Sequence, residues 1–202
     1  MMKRFILFAI ALGILFFLFT TCKKESTAVD TNPKPAEFKL SDFPNTPGWR
    51  YTYLVKDSTS QPRTDTVVVD IVGDTLFPGD QPATIWRFHF PGYDQTRFAL
   101  YSGDTLFSPF QLVLVFPFKL GSQWVRGSDD SVKVVAQAPV QVIAGNFQEG
   151  YRLRHTWFLV NDSGLDFYWL VPGVGIVKID LTSYQYFIRQ HWELISYSFP
   201  EE

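Results

Sequence analysis

Tyr151-Arg152-Leu153-Arg154-His155-Thr156-Trp157-Phe158-Leu159 sets large apolar or aromatic residues, and one histidine, at every odd position, with charged or polar residues at most even ones. A side-chain period of two belongs to a strand with one face on a core and the other toward water. The pattern recurs along the chain. Trp49, Tyr51, Tyr53 and Val55 share one parity, as do Val67, Val69 and Ile71. Trp86, Phe88 and Phe90 oppose Arg87 and His89. Leu112, Leu114, Phe116 and Phe118 repeat the theme, and a last segment alternates through Tyr184, Tyr186, Ile188, Gln190, Trp192 and Leu194. Gly, Pro, Asp and Ser punctuate these runs, and no amphipathic helix competes with them. About ten strands with short connections predict an all-β domain of antiparallel pairing, since a parallel crossover needs a dozen residues or more. A curved antiparallel sheet, a barrel and a two-sheet sandwich all satisfy the pattern.

The chain has 202 residues, 46% hydrophobic, 17% aromatic and 19% charged, with a formal charge of −2. So many aromatics exclude a disordered chain, and the mixed charge excludes a polytopic membrane protein. The absence of a Lys and Arg surplus predicts no nucleic-acid partner. One Cys forbids an internal disulfide or a multi-cysteine metal site.

The N-terminus has a different character. Lys3 and Arg4 precede an apolar run from Phe5 to Phe19, followed abruptly by Thr20-Thr21-Cys22-Lys23-Lys24. Fifteen residues rise about 22 Å as a helix, short of the roughly 30 Å hydrocarbon core, so the run reads as an export signal. It resembles a bacterial lipoprotein signal. The resemblance implies cleavage after residue 21, acylation of Cys22 and attachment to a membrane, with the outer membrane of a bacterial envelope as the expected location. Residues 22–37 are polar, include Pro33 and Pro35, and read as a tether. The β domain is expected over 38–202.

Leu120-Gly121-Ser122-Gln123-Trp124, Ala144-Gly145-Asn146-Phe147 and Pro172-Gly173-Val174-Gly175 resemble turn and anchor motifs of uncharacterised Bacteroidota envelope lipoproteins. The resemblance implies a shared β fold and location, and no activity. In physical terms each Gly permits a turn and each aromatic fastens the following strand to the core. Gly73-Asp74-Thr75-Leu76-Phe77 returns as Gly103-Asp104-Thr105-Leu106-Phe107, which predicts two hairpin turns of one type.

No Gly-x-Ser-x-Gly elbow, phosphate loop or free Cys nucleophile is present, so no catalytic residue and no cofactor is assigned. His89, His155 and His191 each lie in a strand pattern and read as wall or core residues; no metal site is expected. Asp129-Asp130 reads as a solvated turn, and Asp162 with Asp166 is the other carboxylate pair. Trp86, Trp157, Trp169 and Trp192 read as core packing, with a sugar platform or an acyl wall as the alternative. The expectation is a non-enzymatic envelope domain that binds an apolar small molecule or another envelope protein. A structural accessory working through an exposed face or sheet edge is the alternative, and a glycan- or peptide-acting enzyme is a third. Mass spectrometry of the membrane-extracted protein should find residues 1–21 missing and lipid mass on Cys22; an intact Met1 terminus would contradict the anchor.

Overall fold

The computed structural model describes residues 36–59, 61–127 and 129–200, and Cys22, the signal and most of the tether lie outside the described residues. Twelve strands run β1 (Arg50–Asp57), β2 (Arg63–Phe77), β3 (Gln81–Phe90), β4 (Tyr93–Ser102), β5 (Thr105–Phe107) and β6 (Val113–Val115). They continue as β7 (Gln123–Val125), β8 (Asp130–Val142), β9 (Gly145–Leu159), β10 (Asp162–Val171), β11 (Gly175–Ser183) and β12 (Ile188–Ser198). The only helical element among the described residues is a 3-10 turn at Leu40–Asp42. All strands join one antiparallel sheet curled into a nearly closed barrel. The all-β expectation holds, with a single sheet in place of a sandwich.

The strand order is β6-β5-β4-β3-β2-β1-β12-β11-β10-β9-β8-β7. Every sequential neighbour is paired except β6 and β7, and the first and last strands pair with each other from Arg50↔Ser198 to Asp57↔Gln190. The barrel is therefore open in the middle of the chain. There the indole of Trp124 donates to the carbonyl of Val113 at 2.8 Å, one bond across a seam that no ladder closes. Phe38, ahead of β1, pairs with Phe118 in the β6–β7 connection through two backbone bonds of 2.7 and 3.0 Å. Register shifts at Thr52/Tyr53, Ile71/Gly73, Val134/Ala136, Ala138/Val140 and Trp169/Leu170 supply the local twist that curls so wide a sheet.

The alternation in sequence becomes an aromatic interior. Tyr51, Tyr53, Trp86, Phe88, Tyr151 and Tyr168 are buried, and Tyr51 stacks on Trp86 with ring centroids 6.0 Å apart. Tyr53 reaches from β1 past β12 to β11 and donates its hydroxyl to the Ile176 carbonyl at 2.7 Å. Burial pushes the Tyr53 phenol above its ordinary range, which keeps it a donor. Among the described residues the buried hydrophobic core runs from Phe38 to Leu194, inside the compact unit Pro35–Glu202.

Antiparallel alternation sends odd-numbered strands to one end and even-numbered strands to the other. The even end is covered. Gly173 donates to the Asp42 carbonyl at 2.7 Å, Pro44 lies against Gly175, and Phe43 packs on Trp86. The β8–β9 turn also folds over to β12, where Ala144 N donates to the Leu194 carbonyl at 3.0 Å and Phe147 meets Tyr197. Gly145, at φ +154°, makes that fold-over. Gly-Asn-Phe is scaffold here, although Phe147 is half-buried where full burial is the expectation.

Three expectations are corrected. Gly73-Asp74-Thr75-Leu76-Phe77 is not a turn: it lies within β2, with Gly73 at a bulge, whereas Gly103 at φ +57° does turn the chain into β5. Identical pentapeptides thus serve two backbone states, because Gly accepts both. Leu112, Leu114, Phe116 and Phe118 are all buried, yet only Val113–Val115 forms a strand. Tyr184 and Tyr186 leave the alternation and stand exposed in the β11–β12 turn.

Candidate functional site

The odd end is open and holds a cavity of about 720 Å³. Its floor is made by the β5–β6 connection, which folds inward. Ser108 N donates to the Leu112 carbonyl at 2.8 Å, Gln111 takes a left-handed φ of +64°, and Phe110 is thrust among Tyr53, Trp86, Phe88 and Trp192. The loop is held from both sides. Arg97 donates to the Pro109 carbonyl at 3.0 Å, and Tyr168 donates to the Phe110 carbonyl at 3.4 Å. The Arg97 guanidinium also lies 4.5 Å from the Phe88 ring centroid, and burial lowers its pKa, so ring and carbonyl stand in for lost water.

The walls differ in chemistry. Phe90, Phe107, Leu112 and Trp192 form an apolar side, and β8 to β10 supply a polar one. On that side His155, 5% exposed, points its Nε2 at Asp130 at 3.0 Å and its Nδ1 at Asp166 at 3.5 Å. Nδ1 makes no hydrogen bond, the Asp166 oxygen standing just beyond good distance. Asp166 is itself occupied, accepting from the Trp157 indole at 2.8 Å and from Thr182 N at 2.9 Å. Arg126 approaches the other oxygen of Asp130 at 3.4 Å. Both imidazole nitrogens therefore face carboxylates. His89 and His191 repeat the motif outside the site, between Asp94 and Asp70 and between Asp180 and Glu193.

Trp157 owes its position to Gly164. These residues are cross-strand partners, and a Cβ at Gly164 would overlap the six-membered ring of the indole and the Thr182 carbonyl. The ring lies over bare backbone, and its N–H is thereby aimed at Asp166. Nearer the mouth, Asp162 accepts from Ser163 N at 2.8 Å, Gln185 N at 3.0 Å and Ser183 Oγ at 2.6 Å. Desolvation opposes its ionisation, but those three bonds outweigh it and hold the carboxyl below its usual range.

The sequence reading places His155 correctly as a buried wall residue. It misplaces Asp130, which turns inward at the start of β8 to meet His155 and Arg126 instead of lying in a solvated turn. Of the four tryptophans read as core, Trp86 and Trp192 are buried in it, Trp192 also facing the cavity, Trp169 packs over Gly150, and Trp157 lines the cavity outside the core. The Phe110 loop carries no periodic signal. Ser108-Pro109-Phe110-Gln111 reads as an ordinary turn, and only the third dimension brings it inside. Among the described residues no cluster of His, Cys, Asp and Glu could hold a metal ion.

No family model matches the chain, and no curated protein matches it. Among solved structures it is similar to a Bacteroides fragilis protein described as exported and of YmcC-like fold. That likeness has a TM-score of 0.50 at 14% identity and covers 81% of this chain and 100% of that one. A lipoprotein-described structure from Parabacteroides distasonis aligns with a TM-score of 0.46 at 10% identity, over 82% of this chain and 100% of that one. The first likeness is one of fold alone.

Gly164→Ala should lower stability by roughly 2 to 4 kcal/mol through overpacking and loss of the Trp157–Asp166 bond. Thermal unfolding checks this, and an unchanged melting temperature would contradict the packing of Trp157 on bare backbone.

Proposed function

We infer that this protein is a membrane-tethered, non-enzymatic domain of the bacterial envelope that binds a small amphipathic molecule in the open end of its barrel. The observation that carries the reading is the cavity. At about 720 Å³ it falls within the roughly 300 to 1,000 Å³ of small-molecule sites, and it combines an apolar wall with a few placed polar groups. The apolar body of the ligand lies along Phe90, Phe107, Leu112 and Trp192, and its polar group meets Gln111. Gln111 is exposed to the cavity on a left-handed backbone, the kind of local strain that a surrounding structure holds for a purpose.

A binding role is favoured over an enzymatic one by the occupancy of the titratable groups. Asp130 is engaged by His155 and Arg126, Asp162 by two backbone amides and the Ser183 hydroxyl, and Asp166 by the Trp157 indole and the Thr182 amide. Of these groups that leaves only the buried His155 Nδ1 without a hydrogen bond. The lipoprotein-like signal that ends at Cys22 in the sequence supports the tethered location. The turn motifs resembling those of Bacteroidota envelope lipoproteins, with a Bacteroides fragilis protein described as exported as fold neighbour, support the envelope; the outer membrane is the location that the lipoprotein-like signal implies.

The probe N-phenyl-1-naphthylamine should bind the protein saturably with an increase in fluorescence. Leu181→Trp, which fills the cavity from β11, should weaken that binding at least tenfold while leaving the melting temperature within a few degrees. Equal binding by parent and filled variant would contradict the cavity as the site.

A further inference from the structure

Two adjacent turns at the open end have an unusual composition. The end of β9 and the β9–β10 turn read Phe158-Leu159-Val160-Asn161, and the β11–β12 turn reads Tyr184-Gln185-Tyr186-Phe187. Their six large apolar or aromatic side chains are all exposed, Val160 by 97% and Phe187 by 80%. Other connections at this end read Ser58-Thr59-Ser60-Gln61-Pro62, Pro91-Gly92 and Arg126-Gly127-Ser128-Asp129, the ordinary vocabulary of solvated turns. A contiguous exposed apolar group on loops marks an interaction surface, whereas single exposed residues do not.

The two turns form one platform. β10 lies between β9 and β11 in the sheet, and Tyr184 N donates to the Ser163 carbonyl at 2.9 Å, tying one turn to the other. The backbone donors near their tips are also internally satisfied. Asp162 takes the amides of Ser163 and Gln185, while Ser183 Oγ, itself bonded to Asp162, takes that of Tyr186 at 3.2 Å. Such bonds are the usual chemistry of Asp and Ser in turns, and they also suit a loop that meets an apolar phase, where each unpaired amide costs several kcal/mol.

We propose that this platform docks on a lipid bilayer, setting the mouth of the cavity against the membrane surface. Tyr and Phe beside Leu and Val suit the boundary between headgroups and acyl chains, where an aromatic ring has its apolar body buried and its polar tip wet. The occupant follows from the length of chain ahead of the domain. Fourteen residues from Lys23 to Ala36 span at most about 46 to 50 Å. The chain enters the domain on the side of the covered end, where Gly173 meets Asp42. That length exceeds the roughly 33 Å of a ten-residue strand, so an anchored Cys22 leaves a bilayer within reach of the open end; this step rests on the lipid-anchor reading. The platform is also continuous with the cavity, because Leu159, Asp162, Ser183 and Ile188 belong to its lining. Docking there gives an amphipathic ligand a route between membrane and barrel that avoids bulk water.

The domain beginning at residue 36, without anchor, should sediment with vesicles of phosphatidylethanolamine and phosphatidylglycerol. Val160→Ser, Tyr186→Ser and Phe187→Ser combined should weaken that partition roughly tenfold or more, with the melting temperature and the naphthylamine affinity unchanged. In the full anchored chain, a polarity-sensitive label on Phe187→Cys should report an apolar surrounding, and the same label on Ile143→Cys, in the turn at the far end, an aqueous one. A parent domain that stays in the supernatant, a triple variant that sediments like the parent, or identical label spectra at the two positions would overturn the proposal. Vesicle binding without saturable naphthylamine binding would overturn the cavity reading and leave the docking surface standing.

Discussion

The pairing of β1 with β12 is the constraint on which the rest of this structure depends. Without it the chain would be a meander with two free edges at its termini, and a sheet with long exposed edges invites association with other chains. By joining first strand to last, the fold moves its discontinuity to β6 and β7, which are three residues each and are linked covalently by residues 116–122. Short edges, the Trp124 indole bond and the Phe38 bridge are enough to manage so small a gap.

The curl that follows has two unlike ends, and the asymmetry is the basis of the functional reading. One end is sealed by the residues preceding β1 and by the β8–β9 turn folding over β12. At the other end a single inward loop carries Phe110 down to the aromatic core and stops, leaving space above it. The groups around that space are largely spoken for. Asp166 holds Trp157 and the Thr182 amide, and Asp162 holds the turn beside it, so the polar wall is rigid before any ligand arrives. A rigid site loses little conformational entropy on binding, which suits recognition.

How much of this was readable from sequence depends on whether a residue's role is local. The parity of Tyr51, Tyr53 and Val55, or of Tyr151, Leu153 and His155, is a property of one strand, and burial follows it faithfully. Near the mouth the parity fails, because Leu159 and Tyr184 keep the pattern after the core they would face has ended. The partnership of Asp130 with His155 joins residues 25 apart, and its existence depends on register. Closure between β1 and β12 links the two ends of the domain and has no local signature. Gly164 is the sharpest instance: in sequence it is a turn-like glycine in Asp162-Ser163-Gly164, and in space it is the surface on which Trp157 lies.

Hydrogen–deuterium exchange of the folded domain tests the ring closure most directly. If β1 and β12 hold the barrel, the amides of Tyr51, Tyr53, Trp192 and Leu194 exchange only through global unfolding and are the slowest in the protein. Those of Val113–Val115 and Gln123–Val125, at the seam, exchange first. Amides of β1 and β12 exchanging as fast as those of the seam would contradict the account.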